Sequence, residues 1–424
     1  MKAQGAETLL CFTLLQIGLI IVAARVAGHA ARRLGQPRAV GEIVAGLMLG
    51  PSLFGAVAPD AFRWLFRSVD AAPLTIMSQV GLILLMFQVG LEFDFSHLGE
   101  RRNRRAMVLV TLAGIAVPFA LGLGFGWASA PVLAPGIPPL AYSLLIGVAL
   151  SITAVPILGR IMIEFGLTRH RLGVITIAAA AVSDAVGWVL LALVAAVAAS
   201  RFSWTATAIQ IGGLLAYLLA SWFVLRPVLR RVLRWFPHGP DSLPQDLLAL
   251  LLVVVFGSAL LTSQLGIFAI FGGFTVGVLL HDRHDLVSAW KHQVENLIMV
   301  FFLPIFFTYT GLRTDIGSLA SAELWVWCGL LIGLAVLGKF GGCYLAARWA
   351  GLSAAESRNI AIMMNTRALM ELIVVNLGYD LGLITRPVFT MLVLMAVAST
   401  LMTAPGLRLW LPAAGHRIPG GRGA

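Results

Sequence analysis

Long apolar runs broken by short, arginine-rich stretches repeat along the whole chain of 424 residues. A helix needs about 20 mainly apolar residues to cross the hydrocarbon core of a bilayer. By that measure the pattern predicts about thirteen transmembrane helices, centred near Leu15, Val44, Leu84, Ile115, Ala149, Ala185, Leu215, Val255, Phe274, Phe302, Ile332, Met364 and Leu394. Residues 8–24 exceed the apolar part of a signal peptide and lack a basic leader with a convincing cleavage site, so they read as the first span. The segment beginning near Gly266 is short and glycine-rich. Little sequence remains for a separate soluble domain, and the basic, glycine-containing tail at 413–424 is expected to be disordered. The expected fold class is an all-α polytopic membrane protein.

Composition agrees: 59% of residues are hydrophobic and 12% charged, against about 25% charged in soluble domains. The net charge of +11 would suggest nucleic acid in a soluble protein, but here the basic residues occupy short loops. When loops are assigned alternately to two sides, 22 of the 30 lysines and arginines fall on one side and six on the other. Lysine and arginine accumulate on the cytoplasmic side, so the N-terminus is expected outside and the C-terminus in the cytoplasm. The bilayer is the expected partner and nucleic acid is not. Cys11, Cys328 and Cys343 lie in or beside apolar runs and show no disulfide or zinc spacing.

The two remaining basic residues, Lys339 and Arg367, interrupt apolar runs, as do Asp184 and Glu371. Ionisable groups at bilayer depth cost free energy unless neutralised, hydrated or used. Two acids and two bases near the midplane suggest a proton or ion pathway. Asp184 is the strongest candidate, because one carboxylate can hold either a proton or a bare monovalent cation. Arg367 stays charged, so an ion pair with Glu371, one turn away at i+4, is expected to be structural.

An internal repeat adds a second line of argument. Gly90-Leu91-Glu92-Phe93-Asp94 with Leu98 recurs as Gly311-Leu312-Arg313-Thr314-Asp315 with Leu319. Gly46 and Gly50 match Gly273 and Gly277, and Ser151-Ile152-Thr153 matches Met364-Asn365-Thr366. The order is shared and the copies fall on opposite sides, which predicts two inverted six-helix repeats, at 1–200 and 241–412, joined by a linking helix at 201–240. Inverted repeats with interrupted helices mark transporters whose site lies near the midplane. Ser151 to Pro156 is the first candidate interruption, because proline removes a backbone donor and frees a carbonyl one turn earlier. A kinked helix is the plainer reading; in the functional one the freed carbonyls and the Thr153 hydroxyl line a hydrated cation site, with Ser151, Asn365 and Thr366 as crossing-helix polar positions.

Glu42, Glu92, Asp94, Glu295 and Asp315 lie near predicted helix ends, where water reaches them, and read as capping or interfacial groups. His281 and His284 share a loop with Asp282 and Asp285; a solvated loop explains them more simply than a metal site.

These residues together resemble the monovalent cation/proton antiporter-2 family, which includes bacterial sodium/proton antiporters and plant cation/proton exchangers. The resemblance rests on Leu34-Gly35-Gln36-Pro37, Gly41-Glu42-Ile43, Gly50-Pro51-Ser52-Leu53, Gly81 to Asp94 and Ser151 to Pro156. It extends through Tyr309 to Asp315 and Asn365-Thr366-Arg367 with Glu371-Leu372-Ile373, nearly the whole chain. It implies a thirteen-helix homodimer in the bacterial inner membrane, with two interrupted crossing helices and no cofactor, that exchanges Na⁺ or K⁺ for H⁺ by alternating access. Asp184 would be the ion- and proton-binding carboxylate, supported by Ser183, Thr153 and Ala154. Family members usually carry an aspartate or asparagine where this chain has Ser183, and a glycine where it has Ala368. Lys339 matches a basic residue that pairs with that missing acid in electrogenic members. Charge counting on one carboxylate therefore predicts electroneutral one-for-one exchange. The alternatives are a sodium-coupled organic-anion symporter of similar fold and a transport-inactive receptor or scaffold. No arrangement of nucleophile, base or metal ligands suggests an enzyme.

Overall fold

The computed structural model describes residues 5–92, 101–167, 170–199, 204–236, 239, 242–265, 269–367 and 369–415. Asp94 and Leu98 of the first repeat motif, Gly266, Ala368 and residues 416–424 lie outside them. Among the described residues there is no strand, only an isolated bridge between Gly239 and Ser242. All thirteen predicted centres fall on helices. By length and composition, nine helices among the described residues can cross a membrane, ten if the pair His284–Glu295 and Ile298–Ser318, bent by 44°, forms one span. The others are shorter: Arg38–Met48, Pro139–Ser151 and Ala269–Leu280. The first ends just before Gly50-Pro51, and the second ends at an extended residue, Ile152. The described residues end in a 3₁₀ turn, Pro412–Ala414, closed by Gly415 at φ 78°.

The chain forms two compact units. The first comprises Met1–Ala23, Phe54–Asp94 and Ala195–Tyr309. Its centre is the pairing of helix Ala72–Leu91 with Ala269–Leu280. At Gly277 an added Cβ would collide with the carbonyl of Phe87, so the two backbones touch where no side chain fits. The fully buried rings of Phe87 and Trp290 meet edge to face at 4.6 Å beside this contact.

The second unit comprises Ala24–Leu53, Phe95–Val194 and Thr310–Ala424. Here a Cβ on Gly311 would collide with the carbonyl of Gly46, and one on Gly50 with the carbonyl of Gly311. The glycines matched by the sequence repeat thus make matched contacts, one set in each unit. Gly311→Ala is expected to cost about 1–3 kcal/mol through overpacking, read as a clear drop in melting temperature in detergent. Gly329→Ala, where a Cβ meets nothing within 4 Å, should leave it unchanged or raise it slightly.

Candidate functional site

Two interrupted helices in the second unit build the site. Helix Pro139–Ser151 stops where Ile152 turns extended at ψ 148°, and the helix resumes as Val155–Glu164. Pro156 has no backbone N–H to give the carbonyl of Ile152, so the ladder cannot run through. The other chain enters through a capping box, Ser353 with Glu356, runs as Ala354–Met364, breaks at Asn365 and resumes as Leu369–Asp380. The broken backbones satisfy each other. Ala154 N–H donates to the carbonyl of Thr366 at 3.0 Å, and the Thr153 hydroxyl donates to the carbonyl of Met364 at 3.2 Å.

The helix ends this leaves are met by buried charge. A helix C-terminus carries open carbonyls and a partial negative charge. Arg367 donates to the carbonyl of Ala149 at 3.0 Å and to that of Ala335 at 3.1 Å. Lys339, on a widened π turn at Leu337–Gly341, donates to the carbonyl of Gly114 at 2.7 Å and to that of Ser151. The Ser151 hydroxyl donates to the carbonyl of Val148. Both cations therefore serve the C-terminal end of Pro139–Ser151. Glu371 occupies the first turn of Leu369–Asp380, where negative charge is favourable, and pairs with Arg367 at 3.5 Å. Both partners are wholly buried.

Asp184 comes from a third element, Arg171–Ala199. Only 1% of it is exposed, as for Ser183 beside it. Gly187, one turn on, lets this helix press against the first break, since an added Cβ would lie 2.6 Å from Ile152 Cγ1. The Trp188 indole, also one turn on, lies beside the Asp184 carboxylate. Even so, neither carboxylate oxygen reaches full hydrogen-bond geometry among the described residues, and neither do the Ser183 hydroxyl and the Asn365 amide. Buried polar groups are normally satisfied. An under-satisfied carboxylate, hydroxyl and amide are hard oxygen donors of the kind that suit an alkali cation. Among the described residues no group of three or more His, Cys, Asp or Glu side chains is placed to hold a metal.

The structure thus gathers Ser151, Thr153, Ala154, Lys339, Asn365, Thr366, Arg367 and Glu371 at the paired breaks, and presses the Asp184–Gly187 turn against them. Sequence reasoning missed Thr400 and Thr403. They sit in Arg386–Trp410, where Thr403 shares a hydrogen bond with Thr366 at 3.1 Å and Thr400 accepts from the Arg367 backbone at 3.4 Å. The signal was two hydroxyls spaced three apart in an apolar run. Glu42 needs correction: it is 3% exposed rather than at the water boundary, because its helix turns it toward Arg25, 3.3 Å away. Glu92 and Asp315 do lie in part-exposed ion pairs, with Lys291 and Arg386.

A membrane-embedded helical protein with paired interrupted helices and a buried carboxylate belongs to the class of secondary transporters. Comparison with known proteins gives the family. The description "sodium/hydrogen exchanger, transmembrane" matches residues 18–411, and the chain belongs to that family. It is 36% identical over 412 residues to the Na(+)/H(+) antiporter NhaS4 of Synechocystis, covering 96% of this chain and 99% of that one. It is 34% identical to cation/H(+) antiporter 17 of Arabidopsis thaliana, over 94% of this chain, and 30% identical to K(+)/H(+) antiporter 1 of Saccharomyces cerevisiae, over 89%. The chain spans about half the length of these plant and yeast relatives, 48% and 44%. The solved sodium proton antiporter MjNhaP1 of Methanocaldococcus jannaschii shares the fold, with a TM-score of 0.63 at 16% identity, over 97% of this chain and 99% of that one.

Proposed function

We propose that this chain is a secondary antiporter that exchanges Na⁺ or K⁺ for H⁺ by alternating access, with Asp184 as the shared ion and proton site. The observation that carries the reading is the Asp184 carboxylate, buried to 1% exposure and short of hydrogen bonds, on a turn packed against the first break. Ser183, Thr153, Asn365 and backbone carbonyls supply the further oxygens. The antiporter names of the relatives support the same exchange. Its setting in this reading is the bacterial inner membrane, as a homodimer with the N-terminus outside, built from inverted repeats at 1–200 and 241–412 around a linking helix.

Lys339 bears on stoichiometry. Its ammonium is committed to two backbone carbonyls, which supports a fixed capping cation rather than a second carrier of protons. One carboxylate then exchanges one proton for one cation, and no net charge moves. In proteoliposomes carrying an internal pH dye, an imposed Na⁺, K⁺ or Li⁺ gradient is expected to drive proton flux at the same rate with the membrane potential clamped at zero or at 100 mV. A rate that scales with voltage refutes one-for-one exchange. Absence of proton flux with all three ions refutes antiport itself.

A further inference from the structure

The first unit holds a cavity of about 450 Å³ lined by Leu233, Arg234, Phe236, Asp282, Arg283, His284 and Asp285. It joins two loops that the charge pattern independently assigns to the same, arginine-rich side. Helix Arg226–Leu233 brings Arg226 and Arg230 to its rim, against the lining residue Asp282. Asp282 is already engaged, since Arg230 bonds it and Arg226 lies 3.8 Å away. Arg226 also stacks on Trp222 at 4.0 Å. Four guanidiniums, of Arg226, Arg230, Arg234 and Arg283, thus meet two carboxylates, leaving net positive charge at the cavity mouth. The flanking apolar surface points to the source of an anion: Phe223 is 70% exposed and Trp235 72%, as side chains at a membrane interface are. A basic hollow at that depth, beside lipid-facing aromatics, suits a phosphate whose acyl chains run along the same helix.

We propose that this cavity binds the phosphate headgroup of an anionic phospholipid, with Arg234 and Arg283 as its ligands and Asp282 fixing Arg230 and Arg226 at the rim. Its residues are distinct from those of the Asp184 site, and its ligand is lipid, not the exchanged ions. The test titrates the purified full chain in detergent with short-chain phosphatidylglycerol, phosphatidylcholine or inorganic phosphate, reading the midpoint of thermal stabilisation. Phosphatidylglycerol is expected to stabilise saturably and phosphatidylcholine not. Each arginine near an anionic headgroup contributes roughly 1 kcal/mol, so Arg234→Gln/Arg283→Gln should weaken the phosphatidylglycerol midpoint roughly 30-fold. Asp285→Asn, which removes a repelling carboxylate, should tighten it several-fold, giving a second readout if the double variant folds poorly. Equal stabilisation by both lipids, or equal midpoints for wild type and the variants, overturns the proposal. Inorganic phosphate matching phosphatidylglycerol also overturns it, because the ligand is then a free anion.

Discussion

Asp184→Asn is expected to reduce cation-driven proton flux to the leak of protein-free vesicles while leaving the chain folded. Asparagine has nearly the same shape but can neither take up a proton nor neutralise an alkali ion. The substitution also removes a charge that is buried and poorly hydrogen-bonded, so the melting temperature should hold or rise. The same competition sets the pH dependence of the wild type. Protons and cations seek one carboxylate, so lowering the pH raises the apparent KM for the cation, about tenfold per unit once the protonated form dominates, with the maximal rate nearly unchanged. A variant that exchanges at wild-type speed, or a KM indifferent to pH, sinks the shared-site mechanism.

Arg367→Met is expected to be the most damaging single change to stability. It leaves Glu371 charged and wholly buried, and takes the donor from the carbonyls of Ala149 and Ala335. Removing one partner of a buried pair costs about 3–5 kcal/mol. Arg367→Met/Glu371→Met should recover only part of that loss, because the orphaned carboxylate is gone while the two carbonyls stay open. Arg367→Lys should fall between, since a single ammonium cannot span both carbonyls and the carboxylate. Thermal unfolding of the three variants in one detergent checks the order; an unchanged melting temperature for Arg367→Met would remove the capping role.

Much of this fold could be read in the chain because a bilayer admits few backbone solutions. Without water to satisfy N–H and C=O groups, an apolar segment of about twenty residues closes its own bonds as a helix, and each predicted centre falls on a helix. The breaks were legible because Pro156 and the hydroxyls of Ser151 and Thr153 are chemically out of place at that depth. The glycines aligned by the repeat lie at close backbone contacts, as at Gly311 and Gly277, because small residues let helices approach. Other features depend on which way a helix is rotated, which apolar runs hide: nearly every face of Arg171–Ala199 is apolar, so nothing marked Gly187 as the residue facing Ile152. Glu42 was misread for the same reason, since nearness to a helix end says nothing about which neighbour the side chain meets. Thr400 and Thr403 were overlooked because threonine is ordinary in membrane helices, and only their partners make them distinctive.

The cations that close the first interrupted helix stand roughly 190 and 220 residues downstream of the carbonyls they serve, Ser151 with Lys339 and Ala149 with Arg367. During synthesis the early half therefore enters the lipid with its cut ladder exposed, and must wait for the late half before those oxygens find donors. A nascent chain halted before Lys339 lacks the donors that cap Ser151 and Ala149 in the finished fold.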